Sequence, residues 1–146
     1  MDQGRLQFTA PIRADVEGQA SERITAALAR WGQHLAEKAG PAATGESRNG
    51  TPLHVRYHAV AGILTPAVDE SYSLTIADNG IFMDAATDVG VLRALATLYQ
   101  CLRHDATGWN FPALRIGDQP RFTWRGLLID PCRHWMPRDM ILRELD

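Results

Sequence analysis

The run PRFTWRGLLIDPCRHWMPRDMILRELD, from Pro120 to Asp146, constrains the fold more than any other part of the chain. At its centre Gly126, Leu127, Leu128 and Ile129 lack the in-out alternation of a half-exposed strand, so both faces of the strand they predict need cover. Strands of this kind sit inside parallel sheets. Asp130, Arg133 and His134 follow at the C-terminal end of that strand, and Pro137 opens an amphipathic stretch with Met140, Ile141 and Leu145. This is one strand-loop-helix unit, and in parallel α/β folds ligands bind at the C-terminal strand edge. One unit cannot make a barrel or a parallel sheet, so the strands it is built to join are expected beyond this chain.

The remaining sequence predicts a domain of a different kind. Leu6, Phe8, Ala10, Ile12, Ala14 and Val16 alternate as in a strand broken or bent at Pro11. Ser21 is a candidate N-cap for a helix whose apolar stripe runs Ile24, Ala27, Leu28, Trp31 and Leu35, ended by Gly40-Pro41. The stretch from Pro41 to Gly50 is small and polar and predicts an exposed loop. Leu53, Val55 and Tyr57 alternate with His54, Arg56 and His58 in a further strand. Tyr72, Leu74 and Ile76 lead through Asp78-Asn79-Gly80 to Ile81–Ala86, and Asn-Gly predicts an antiparallel hairpin with a type I′ turn. Asp88 is the candidate cap of a second helix carrying Val91, Leu92, Leu95, Leu98, Tyr99 and Leu102. Leu114 to Ile116 is a short strand or extended connector ending near Pro120. Strand, helix, strand, hairpin and helix together predict an α+β fold: a small two-layer domain with a mostly antiparallel sheet and two helices. No internal repeat or low-complexity tract appears.

Composition bounds the function classes. The 146 residues suffice for one domain with a sizeable core. Hydrophobic residues make up 45% and charged residues 22%, ordinary for a soluble globular protein. The net charge of −2 gives no global attraction to nucleic acid, and no apolar run approaches the ~20 residues of a membrane-spanning helix. Cys101 and Cys132 lack metal-type spacing and read as two unpaired thiols. The start, MDQGRLQF, has no secretory signature, which leaves the compartment open if the chain is an internal piece.

Other chemistries are excluded residue by residue. His54 and His58 have the i, i+4 spacing that binds zinc on a helix, but on a strand they sit roughly 13 Å apart, too far for joint ligation. HExxH, phosphate-loop, dinucleotide-glycine and nucleophile-elbow patterns are absent. No metal and no cofactor is expected. Arg133 stands out because its guanidinium offers five donors in a rigid fork, suited to two adjacent hydroxyls or a ring oxygen. The plain alternative is a surface or ion-paired arginine. Asp130, three residues away, is placed to accept a charge-assisted bond from Arg133, or else is a solvent-facing loop residue. His134 lines the site or serves the backbone, and Trp135 either stacks on sugar or packs between strand and helix. Arg125, before the apolar strand, belongs to the stability end of such a barrel and reads as structural. Pro120 and Phe122 are expected to pin the junction.

The string PRF.WRGLLID..RHW.P resembles the start of the catalytic barrel in glycoside hydrolase family 20, the β-N-acetylhexosaminidases. The likeness extends upstream to ESYSLTI, the Gly80 hairpin and ATDVGVLRALATLYQCL. There Gly90, Ala94, Thr97, Leu98 and Gln100 follow the family's pattern, and Cys101 replaces its usual leucine. The first fifty residues are similar only in layout.

The resemblance implies residues 1–119 as an N-terminal accessory domain and residues 120–146 as the first βα unit of a truncated TIM barrel. It implies that Arg133 binds the 3- and 4-hydroxyls of a terminal N-acetylhexosamine, with Asp130 and His134 as supporting groups. In the family an adjacent Asp-Glu pair on a later strand carries out substrate-assisted, retaining hydrolysis. That pair is not found here at a strand end, and Asp69-Glu70, which precedes a strand of the small domain, is rejected. No catalytic residue is therefore assigned, and the chain alone is expected to be inactive. The implied partners are N-acetylhexosamine-containing glycans and the missing remainder of the barrel, with no nucleic acid and no membrane. Members are often exported. The alternative is a stand-alone carbohydrate-binding or interaction module, whose tail would have to pack on its own domain. The α-glucuronidases have a similar leading domain, but D..RHW is the family 20 form.

Overall fold

A computed structural model describes residues 4–8, 11–40, 50–130, 133 and 135–145. Among the described residues, eight strands and three helices follow in the order β1 (Arg5–Gln7), β2 (Ile12–Glu17), α1 (Glu22–Ala39), β3 (Thr51–Ala59), β4 (Tyr72–Ala77), β5 (Gly80–Thr87), α2 (Asp88–Cys101), β6 (Arg103–Asp105), β7 (Gly108–Pro112), β8 (Leu114–Asp118) and α3 (Arg138–Leu145). A five-stranded sheet has the order β2-β3-β5-β4-β8, and a three-stranded sheet the order β1-β7-β6.

The fold is α+β as the pattern predicts, but the main sheet is mixed rather than mostly antiparallel. β2 pairs parallel with β3 and β3 parallel with β5, while β4 pairs antiparallel with both β5 and β8. The physical reason is the helical crossover. α1 carries the chain back over the sheet, so β3 enters beside β2 in the same direction. The Leu6–Val16 alternation is split between two sheets, with β1 paired to β7 and β2 to β3.

The alternation of β3, β4 and β5 sorts their side chains by face. Leu53, Val55, Tyr57, Tyr72, Leu74, Ile76, Ile81, Met83 and Ala85 are buried, and α1 and α2 cover them with Ile24, Trp31, Leu35, Val91, Ala94, Leu95 and Leu98. Leu6, Phe8 and Phe111 from the small sheet join the same core, the two phenylalanine rings stacked at 5.4 Å. The opposite face of the main sheet carries His54, Arg56, His58 and Phe82 toward solvent.

The helix ends differ in detail from the sequence expectation. Thr87, not Asp88, is the N-cap of α2, its hydroxyl accepting from the Gly90 N–H at 3.4 Å. Ser21 holds the N-cap position of α1 but makes no side-chain cap bond. The hairpin turns through Asp78-Asn79, with Ala77 paired to Gly80, and no non-glycine residue among those described has positive φ. That rules out a type I′ turn. The left-handed residue is Gly80 itself, at φ 145°, and a Cβ there would lie 2.8 Å from Pro52 Cγ.

Candidate functional site

β8 ends at Asp118, and the chain continues through Gln119-Pro120 into residues 121–130, which form no strand pairing. The continuous buried strand predicted at Gly126–Ile129 is corrected here. Trp124 is 80% exposed, Leu128 93% and Trp135 79%, and Phe122 and Leu127 are open as well. A parallel strand loses both faces from water only when flanking strands and helices cover it, and the described residues provide none. Phe122 therefore does not pin the junction by packing, nor does Trp135 lie in a core. α3 does form where Pro137 predicts it: the Pro137 carbonyl accepts from Met140 N–H at 3.0 Å and from Ile141 N–H at 3.2 Å. Pro137 takes the helix-start role in which a missing N–H costs nothing.

Arg133 follows this segment, with its side chain 92% exposed. Its Nε is 3.7 Å from Asp130 Oδ2, an ion pair longer than a hydrogen bond. The two residues are thus neighbours, with the guanidinium fork directed into open space. His134 lies outside the described residues, as does Cys132. Cys101 is a free, half-buried thiol whose pKa burial raises.

Arg125 is held where the segment leaves the domain. Its Nη2 donates to Glu70 Oε1 at 2.7 Å and Oε2 at 2.6 Å, and its Nη1 donates to the Phe122 carbonyl at 2.5 Å. From α2, Arg93 Nε donates to Glu70 Oε2 at 2.6 Å. The structural reading of Arg125 gains a partner that sequence reasoning missed. The only available signal was one of charge: an acid in ESYSLTI and a base in GVLRALATL, with no spacing rule to connect them.

The same contacts bear on the rejected Asp69-Glu70 pair. The Arg125 bond holds the Glu70 carboxyl below its usual range, opposed by burial and aided by Arg93. Asp69 Oδ1 accepts from the Ser71 N–H at 2.9 Å, and Ser71 lowers its pKa too. Carboxylates held ionised in this way are poor proton donors. His54 stacks on Phe82 at 4.9 Å, and His58 Nε2 lies 3.3 Å from Asp84 Oδ1, so the two histidines serve separate neighbours. Among the described residues, no group of three or more His, Cys, Asp and Glu could hold a metal ion, and no helix is long and apolar enough to cross a membrane.

The positions of the family pattern have structural duties in this fold. A Cβ on Gly90 would come 2.6 Å from the Ser71 carbonyl oxygen, so only glycine lets α2 approach that backbone. Ala94 and Leu98 are fully buried, and Thr97 Oγ1 lies 2.6 Å from the Tyr72 hydroxyl, which also donates to Asp118 at 3.2 Å. The helix, the hairpin and β8 are locked together at this point.

Comparison with known proteins agrees with that geometry. The family profile described as glycosyl hydrolase family 20, domain 2, matches residues 3–119. A β-N-acetylhexosaminidase of Cellulomonas fimi is 37% identical over 94 residues, covering 64% of this chain and 18% of the relative. The solved chitobiase of Flavobacterium johnsoniae superposes with a TM-score of 0.84 at 32% identity, covering 99% of this chain and 23% of that one. A mutant Streptomyces plicatus β-hexosaminidase in complex with product GlcNAc gives a TM-score of 0.60 at 26% identity, over 97% of this chain and 28% of that one. The chain thus spans 18% to 28% of the length of these relatives. With the domain-2 profile running through most of its length, the chain belongs to glycosyl hydrolase family 20.

Proposed function

We propose that this chain is the domain-2 part and the first βα unit of an exo-acting β-N-acetylhexosaminidase, which releases terminal N-acetylglucosamine or N-acetylgalactosamine by substrate-assisted, retaining hydrolysis. Residues 1–119 form the accessory domain. Residues 120–146 supply the first barrel strand and helix, and Arg133 binds the hydroxyls of the terminal sugar. The observation that carries this reading is the exposed apolar row Phe122, Trp124, Leu127 and Leu128, which leads to an arginine and an aspartate at its C-terminal end. Such a row is what a barrel strand presents before its neighbours pack, and its C-terminal end is where barrel enzymes place ligand groups. The likeness to the chitobiase supports it, since it covers 99% of the chain and so extends past the domain-2 boundary at residue 119.

The reaction's proton donor and its acetamido-orienting carboxylate are assigned to barrel residues other than those on this chain. Asp69 and Glu70 are not among them: Glu70 is engaged by Arg93 and Arg125 and Asp69 by the Ser71 N–H, which supports leaving both in a structural role. The rival reading, a self-contained binding module, needs the tail packed on its own domain. Trp124 and Leu128 are instead uncovered.

A chimera tests the proposal: residues 1–146 replace the superposing portion of the Flavobacterium johnsoniae chitobiase. It should hydrolyse a chromogenic N-acetylglucosaminide, and Arg133→Ala should lower kcat/KM by about 10- to 100-fold through loss of charged hydrogen bonds to the sugar. A folded chimera without turnover overturns the reading.

A further inference from the structure

We infer that Glu70 and Arg125 form the anchor that sets the direction in which the C-terminal segment leaves the α+β domain, making Glu70 a positioning residue for Arg133. The inference rests on the proposed reading of residues 120–146 as a barrel strand and helix.

The anchor point on the domain is rigid. Glu70 lies just before β4, and the backbone on both sides of it is tied down. The Thr87 hydroxyl donates to the Asp69 carbonyl at 2.6 Å, the Asp69 carboxylate takes the Ser71 N–H at 2.9 Å, and the Ser71 carbonyl accepts from Ala86 N–H at 3.4 Å. The close approach of Gly90 presses the first turn of α2 onto the same carbonyl. Arg93, one turn further along α2, then orients the carboxylate. The Glu70 side chain is only 13% exposed and the Arg125 side chain 40%, so the carboxylate end of this ion pair is shielded while the guanidinium end meets water.

On the tail side, one guanidinium makes two kinds of bond. Nη2 reaches both Glu70 oxygens, and Nη1 takes the segment's own backbone at Phe122. The bend through residues 121–125 is thereby closed on itself and fastened to the domain together. Arg125 then acts as a pivot. Five residues separate it from Asp130, a lever of at most about 16 Å at ~3.3 Å per residue. A swing of about 10° at the pivot moves the far end by about 3 Å, where misplacement of about 1 Å already harms catalysis.

The experiment is backbone ¹⁵N relaxation on the whole 146-residue chain. In the unaltered protein the heteronuclear NOE of amides 121–126 should approach that of β4 and β5. In Glu70→Gln and Arg125→Met it should fall to less than half, with core chemical shifts preserved; Arg93→Met should have a smaller effect. Arg125 lies outside the core, so its variant remains interpretable even if Glu70→Gln fails to fold. Equal mobility in the unaltered chain and in Arg125→Met overturns the anchor. In the chitobiase chimera Arg125→Met should raise KM several-fold at unchanged Tm, and an unchanged KM overturns the positioning role. A chimera inactive before any substitution counts against the proposed function alone, because the relaxation result still decides the anchor.

Discussion

Asp88 is fully buried yet ionised, and three donors explain how. The Ser21 hydroxyl donates to it at 2.9 Å, Arg23 Nη1 at 2.5 Å and the Ala61 N–H at 2.9 Å, joining the start of α1, the loop after β3 and the first turn of α2. Burial pushes its pKa up, but the bonds from Ala61, Ser21 and Arg23 outweigh it and leave the group below its usual value. A carboxyl with a depressed folded-state pKa contributes stability that is complete above its unfolded value near ~4, lost as pH falls through the folded value. Asp88→Asn should therefore cost about 2–3 kcal/mol at neutral pH in chemical denaturation, and the variant should lose less stability than the parent on acidification below pH ~4. The sequence marks Ser21 and Asp88 only as cap candidates, because capping is a local rule and their partnership spans 67 residues. Gly90 was legible through the family pattern, and its reason is now steric. Gly90→Ala should destabilise by about 1–3 kcal/mol, since the carbonyl of Ser71 that its methyl group meets is backbone and cannot rotate aside. A thermal melt of that variant is the check.

At the scale of elements, what the sequence made legible follows from periodicity. α1, α2, β3, β4 and β5 each carry a strong stripe or alternation and lie where those patterns predict. β6 and β7, at Arg103–Asp105 and Gly108–Pro112, were missed for a physical reason. They are short, with an exposed and polar β6, and are stabilised by long-range pairing with β1 and by the Asp105 carboxylate, which accepts from Arg5, Thr107 and Asn110. Strand pairing direction was equally hidden, since alternation says which face is buried and not which neighbour is parallel. The run Gly126–Ile129 shows the converse: it is easily read as a buried strand, yet no strand forms there and Leu127 and Leu128 are exposed. None of the described residues from Pro120 onward belongs to the buried core, so the domain should stand without that segment. Truncation after Gln119 should leave Tm within a few degrees of the full chain and lower its light scattering at high concentration, because the exposed apolar row is an association hazard. A truncated domain that unfolds would contradict this assignment of the core.

For the molecule as a whole, the site is legible in chemistry but incomplete in geometry. Residue type alone does not single out Arg133; its place after an apolar run and the family resemblance do, and the structure sets it beside Asp130. Recognition of a sugar needs more than this pair. A hydrogen bond to a hydroxyl formed in open water replaces one that water already supplies, so the net gain is small. Catalytic stabilisation likewise needs a proton donor and preorganised dipoles around an enclosed ring. With its side chain 92% exposed, Arg133 should bind N-acetylglucosamine no tighter than the millimolar range in the 146-residue chain as it stands, and Arg133→Ala should change that binding little. The same substitution in the chitobiase chimera should be severe, because there the surrounding barrel excludes water and every lost bond leaves a buried hydroxyl unpaired. A chemical-shift titration with N-acetylglucosamine and an assay with a chromogenic N-acetylglucosaminide separate the two settings. Sub-millimolar affinity, or turnover above the buffer blank, in the 146-residue chain would mean that Arg133 already works within a formed pocket, and the division of labour between this segment and the rest of a barrel would have to be abandoned.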